Sequence, residues 1–128
     1  MRLNQVTVPA LDVERSIAFY VALGMRLIVK DVHYARFELP DGESTFSLHL
    51  TDDASGAGNG ASVYFECDDL DARVTALKAK GIVFDTGPVD QSWLWREAWL
   101  TDPAGVKLCF FKAGDARRYP PWRLSSPA

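Results

Sequence analysis

The chain has 128 residues, 48% hydrophobic and 24% charged, which suits one domain or two small modules sharing a core rather than a disordered segment. A formal charge of −3 gives no electrostatic footing for nucleic acid, and no apolar run approaches the roughly 20 residues of a membrane span. The start, Met1-Arg2-Leu3-Asn4, enters a strand without a signal-peptide core, and two cysteines, Cys67 and Cys109, make a poor disulfide framework, so a cytoplasmic chain with reduced thiols is expected.

Leu3 to Val8 reads as a strand, after which Pro9 limits further pairing. Asp12 is a suitable N-cap for a helix through Leu23, with Ile17, Phe19, Tyr20 and Leu23 on its buried face. Gly24 suits the left-handed position that ends such a helix. Met25 to Val29 and Tyr34 to Leu39 are the next strands, with His33 a turn residue before the latter. Pro40-Asp41-Gly42 combines fixed φ, side-chain hydrogen bonding and tolerance of positive φ, which together make a turn. Thr45 to Leu50 alternates: Phe46, Leu48 and Leu50 take one face, Thr45, Ser47 and His49 the other.

Residues 52–60 are rich in Gly, Ala, Ser and Asn and read as a linker, beyond which the pattern restarts. Ala61 to Glu66 is a strand, Asp69 a second N-cap, and Leu70, Val74 and Leu77 an apolar stripe on a second helix ending before Gly81. Ile82 to Phe84 follows as a short strand, and Gly87-Pro88 breaks the chain. Trp93 to Leu100 is an aromatic strand, Asp102-Pro103-Ala104-Gly105 a turn, and Val106 to Phe111 the last strand. The tail is expected to pack onto the body through Tyr119 and Trp122, with Arg117, Arg118 and Arg123 solvated and the end frayed.

Asp69 lies 57 positions after Asp12, and Gly81 lies 57 after Gly24, so the halves read as copies of one unit. The expected fold is α+β: two βαβββ modules forming a curved mixed sheet around a cleft, helices on the outside. Module one is 2–51, the linker 52–60, module two 61–112 and the tail 113–128. The seam of such a fold is where a small-molecule site is expected.

Alternation puts Trp93, Trp95, Glu97 and Trp99 on one face, with Leu94, Arg96, Ala98 and Leu100 on the other. Three indoles and a carboxylate on one face do not suit a solvent surface; they suit either core or the wall of an apolar cleft with one polar anchor. The indoles can stack on a planar or cationic ligand. Tyr64 shares the parity of Ser62 and can extend this wall. Glu97 and His49 are the candidate acid/base groups, Glu97 with Arg96 as its nearest cation in sequence. Cys109 alternates with Leu108 and Phe110, which turns it toward the cleft, with no cation nearby in sequence to activate its thiol. Cys67, just before the second helix, reads as structural.

The stretches LNQVTVPALDVERSIAFY, VYFECDDLDARVTALKAKGIVF and AWLTDPAGVKLCFF resemble, in order, the opening of the first module, the opening of the second and the final hairpin of the vicinal-oxygen-chelate (VOC) superfamily. That superfamily holds glyoxalase I, fosfomycin-resistance enzymes, extradiol dioxygenases and bleomycin-resistance proteins, and the resemblance spans residues 2–112. In its metal-dependent members, His or Gln on the first strand and Glu on the last strand of each module hold an ion.

Carried over by position, the resemblance puts Gln5, Ser62 and Cys109 at ligand positions; the fourth falls on Phe46, or with a small slip on Ser47 or His49. This set offers no carboxylate and at most one imidazole, a poor match to a hard divalent ion. Resemblance and the aromatic face together favour a small-molecule-binding protein without the usual metal or another cofactor, a divalent metal being the alternative, with Trp93, Trp95, Trp99, Tyr64, Ser47, Ser62 and Cys109 contacting the ligand. The alternative is a metal-dependent lyase or isomerase acting on vicinal oxygens, its ion held by Gln5, His49 and Glu97. Both readings imply a homodimer, with neither nucleic acid nor membrane as partner.

Overall fold

Strand, helix and three further strands occur twice in the computed structural model, which describes residues 1–53 and 60–126. In the first pass β1 is Gln5–Ala10, α1 Val13–Ala22, β2 Arg26–Lys30, β3 Tyr34–Glu38 and β4 Thr45–Leu50. In the second, β5 is Ser62–Glu66, α2 Leu70–Ala79, β6 Thr86–Asp90, β7 Arg96–Thr101 and β8 Lys107–Lys112. α2 starts and ends 57 positions after α1, and β5 starts 57 after β1. The strands form two mixed four-stranded sheets, ordered β1-β4-β3-β2 and β5-β8-β7-β6, and the fold is α+β.

Compact units follow a different boundary from the repeat. One contains Met1–Ser62 together with Thr101–Lys107; the other contains Val63–Leu100 and Leu108–Ala128. The turn between β7 and β8 thus belongs to the first unit. The expected linker 52–60 lies mostly outside the described residues, as does the end of the tail at Pro127 and Ala128.

In the first unit Asp12 is extended, with φ −140° and ψ 105°, and its carboxylate accepts the Arg15 N–H at 3.1 Å, starting α1 as an N-cap should. α1 buries Val13, Ser16, Ile17 and Tyr20, while Phe19 is only half-buried. Beneath it, the Tyr20 ring lies 4.7 Å from Phe46 and 5.9 Å from Phe37, and all three are essentially inaccessible. β4 pairs parallel with β1 and antiparallel with β3, with Phe46 opposite Phe37 and Ser47 opposite Arg36. That register places Phe46 and Leu48 in the core without a slip.

Two strand limits differ from expectation for one reason. β1 continues through Pro9 to Ala10, and β6 is Thr86–Asp90, running through Pro88 where a break is expected. Both are edge strands, and an edge strand needs ladder donors on only one side, so proline is tolerated there. The register of β6 against β7 also shifts between Thr86 and Val89, which absorbs the irregularity. Ile82 to Phe84 is correspondingly not a strand.

Three further expectations are corrected. Asp69 makes no side-chain cap; its carboxylate instead takes the Arg73 guanidinium at 3.2 Å, the partner one helical turn on. β7 begins at Arg96, because Gln91 to Trp95 form a turn closed by bonds from the Gln91 N–H to the Trp95 carbonyl and from the Leu94 N–H to the Gln91 carbonyl, with Leu94 at φ 69°. Tyr119 and Trp122 are each 57% exposed, so they do not pin the tail. The tail enters a 3-10 helix at Gly114–Arg117, and the Trp95 indole N–H donates to the Ala116 carbonyl at 3.3 Å.

Candidate functional site

Along β7, Ala98 and Leu100 point into the core and are fully buried, so Glu97 and Trp99 face the other way. The turn before β7 brings Trp93 and Trp95 to the same side although neither is in the strand. With Tyr64 of β5 and Gln91, these residues line a pocket of about 470 Å³ within the second unit. Tyr64 meets its neighbours edge-on: its ring lies 5.5 Å from Trp99 and 5.9 Å from Trp95, at interplanar angles of 79° and 84°. Trp95 is backed by Phe111, stacked at 4.4 Å and 13°. The rings therefore hold one another in place, which fixes the wall without a ligand.

Among the described residues Glu97 is the one charged group of the lining, and it is only 3% exposed. Its two oxygens are held separately: the Trp93 indole donates to Oε2 at 2.8 Å and the Trp99 indole to Oε1 at 3.0 Å. Arg96 does not pair with it. That guanidinium reaches Asp71 of α2 at 3.0 Å and Asp90 of β6 at 3.1 Å. Cys109 is fully buried nearby; burial first, and the Glu97 charge second, push its thiol up to about 12, so it is a neutral group. Burial, with Cys109 and Glu97 adding, also raises the Tyr64 phenol above its ordinary value. Ser62 is exposed and does not line the pocket.

The remaining sequence-derived candidates lie in the first unit. Ser47 is buried and its hydroxyl accepts the Tyr34 phenol at 2.7 Å; the Arg36 Nε–H donates to the same phenol oxygen at 3.1 Å. The Arg36 guanidinium also lies over the Tyr34 ring, 5.5 Å from its centroid. Hydrogen bonding with Ser47 above all, opposed by burial and assisted by Arg36 and Gln5, holds the Tyr34 phenol below its ordinary range. Gln5 accepts the Thr45 hydroxyl at 2.8 Å, and His49 is exposed on β4.

Sequence reasoning missed Tyr34, Arg36, Gln91 and Phe111. Tyr34 and Arg36 had a usable signal, since they alternate with the core residues Ala35 and Phe37 on β3. Gln91 and Phe111 had none, because the turn that carries Gln91 depends on the positive φ at Leu94, and Phe111 meets Trp95 only through the tertiary fold.

The donor set does not fit a divalent ion. At the positions implied by the resemblance stand the amide of Gln5, the hydroxyl of Ser62 and the neutral thiol of Cys109; Phe46 is core, and Ser47 already accepts Tyr34. Among the described residues no group of three or more His, Cys, Asp or Glu gathers to hold a metal. Glu97, the one carboxylate of the pocket, is held by two indoles instead.

A profile of the Glyoxalase/Bleomycin resistance protein/Dioxygenase superfamily matches residues 2–110. No match is found among curated proteins. Among solved structures, a glyoxalase/bleomycin resistance protein/dioxygenase from Nocardioides is 22% identical with a TM-score of 0.75, over 97% of this chain and 89% of that one. A bleomycin-binding protein complexed with bleomycin is 22% identical with a TM-score of 0.71, over 88% and 98%. Lactoylglutathione lyase from Agrobacterium tumefaciens is 17% identical with a TM-score of 0.69, over 87% and 92%. At these identities the likeness is one of fold. No helix is long and apolar enough to cross a membrane among the described residues.

Proposed function

The chain belongs to the glyoxalase/bleomycin resistance protein/dioxygenase superfamily, and on that premise we propose that it binds a small molecule in the aromatic pocket of its second unit, without the ion of the metal-dependent members. The observation that carries this reading is the wall of Tyr64, Trp93, Trp95 and Trp99 around about 470 Å³, with Tyr64, Trp95 and Trp99 held by edge-on and stacked ring contacts and Trp93 by its bond to Glu97. Its volume falls within the range of small-molecule sites, and it is open to solvent on one side. Each aromatic contact with a ligand ring contributes about 0.5–1.5 kcal/mol beyond the area it buries. The rings need no rearrangement to receive it, so little ordering cost offsets the gain. A metal-dependent lyase or isomerase would need donors that Gln5, Ser62 and Cys109 do not supply.

Three of the chain's four tryptophans line the pocket, so intrinsic emission reports its occupancy. A panel of flat aromatic molecules should quench or shift emission, and Trp95→Ala and Tyr64→Ala should each weaken that response at least tenfold. Unchanged emission and an unchanged unfolding temperature across the panel would remove the reading. The same proposal takes the protein as a homodimer, which the family resemblance supports; sedimentation at micromolar concentration giving the mass of one chain would count against it.

A further inference from the structure

We infer, building on the pocket reading above, that the ligand is an organic monocation with its charge spread over alkyl groups, such as a methylated ammonium, seated against the indole and phenol rings with Glu97 as counter-charge. The indole N–H of Trp93 is engaged by Glu97 Oε2, that of Trp99 by Glu97 Oε1, and that of Trp95 by the Ala116 carbonyl. Each of these three indole N–H groups is engaged, so what the tryptophans offer a ligand is aromatic ring surface. Those faces are negative, and they attract a cation positioned over them.

Glu97 adds a buried carboxylate, an acidic acceptor, to the same wall. Among the described residues no lysine or arginine lines the pocket, and the nearest arginine in sequence, Arg96, is engaged by Asp71 and Asp90. The two indole donors solvate the carboxylate, but among the described residues no cation pairs with it. An anionic ligand would meet repulsion there, and a neutral one would leave the carboxylate as it is. A cation is favoured by both the rings and the carboxylate. An alkylated cation fits better than a primary ammonium, because the wall has few acceptors to replace the hydration of three N–H groups.

The test compares phenyltrimethylammonium with its neutral isostere tert-butylbenzene on the full chain, followed by tryptophan emission, in the wild type and in Glu97→Gln. The inference expects the cation to bind the wild type at least tenfold more tightly than the isostere, the preference shrinking to within about threefold in Glu97→Gln. Added salt should weaken only the cation. The wild-type comparison decides by itself if Glu97→Gln fails to fold. Equal or tighter binding of tert-butylbenzene overturns the cation while leaving the pocket reading intact. Binding of neither molecule overturns both.

Discussion

Tyr20 and Asp102, 82 positions apart in sequence, meet in the core through a hydrogen bond of 2.6 Å from the phenol to the Asp102 carboxylate. The other Asp102 oxygen accepts the N–H groups of Ala104 at 2.8 Å and Val106 at 2.9 Å. One buried carboxylate thus shapes the turn between β7 and β8 and ties it to α1, which explains why a turn of the second repeat belongs to the first compact unit. Tyr20→Phe removes the bond to a charged acceptor and should cost about 1.5–3 kcal/mol. Asp102→Ala orphans three donors and should cost roughly 3 kcal/mol or more. Urea unfolding measures both, and a Tyr20→Phe midpoint equal to wild type would remove the tie from the account.

Glycine ends both helices with the same backbone: Gly24 at φ 108° and Gly81 at φ 93°. A Cβ at Gly81 would meet nothing within 4 Å, and one at Gly24 only Pro40 Cγ at 3.9 Å, ordinary contact. Alanine at either site therefore tests the backbone alone and should cost about 1–2 kcal/mol. A neutral Gly81→Ala would show that the chain can leave α2 by another route.

Ser16 is 1% exposed on α1, and its hydroxyl has no hydrogen-bond partner among the described residues. A buried hydroxyl without a partner is a liability, and alanine has the better helix propensity. Ser16→Ala should raise stability by about 1 kcal/mol in the same urea assay. A loss on substitution would mean that the hydroxyl has a partner, such as a buried water.

The alkaline limb of stability should report Cys109 first. Its thiol is raised from 9.0 to about 12 in the fold, so the protein keeps a proton that the unfolded chain releases. A raised value contributes stability that is complete below pH 9 and lost as pH rises toward 12, at about 1.4 kcal/mol per pH unit. Above pH 10 Tyr20 joins in the same direction, its phenol raised by burial and by Asp102. Cys109→Ala should flatten the slope between pH 9 and 10, and Tyr20→Phe the slope above it. A wild-type stability that does not fall from pH 9 to 10 would contradict the Cys109 assignment.

Local patterns held where one face of one element decides the outcome. The Asp12 cap, the burial of Ile17, Tyr20 and Leu23, and the alternation that separates Phe46 from Ser47 all depend on neighbours a few positions away. Features set by sheet order were not legible: nothing local marks β1 and β6 as edges, so Pro9 and Pro88 read as breaks. The site was legible in part for the same reason. Glu97 and Trp99 share a face because β7 is a strand; Trp93 and Trp95 reach that face through a turn, for which alternation was the wrong cause. Arg96 was the obvious partner for Glu97 along the chain, but alternation sends the two to opposite faces, and the indoles take its place.

Those indoles give the most discriminating test of how Glu97 is held. Each donates to a different oxygen, but Trp93 is 45% exposed while Trp99 is half-buried. Water can replace the Trp93 donor more readily, so Trp99→Phe should be the costlier single change, at about 1.5–3 kcal/mol, with Trp93→Phe nearer 1 kcal/mol. In the double variant the buried carboxylate loses its last protein donor among the indoles. A charge stripped of its second donor suffers more than one stripped of its first, because the remaining bond no longer shares the load. The two losses should therefore exceed additivity by at least about 0.5 kcal/mol in a double-mutant cycle read by urea unfolding. Strict additivity would mean that water or another group satisfies Glu97, and the preset carboxylate of the pocket would then be an incorrect description.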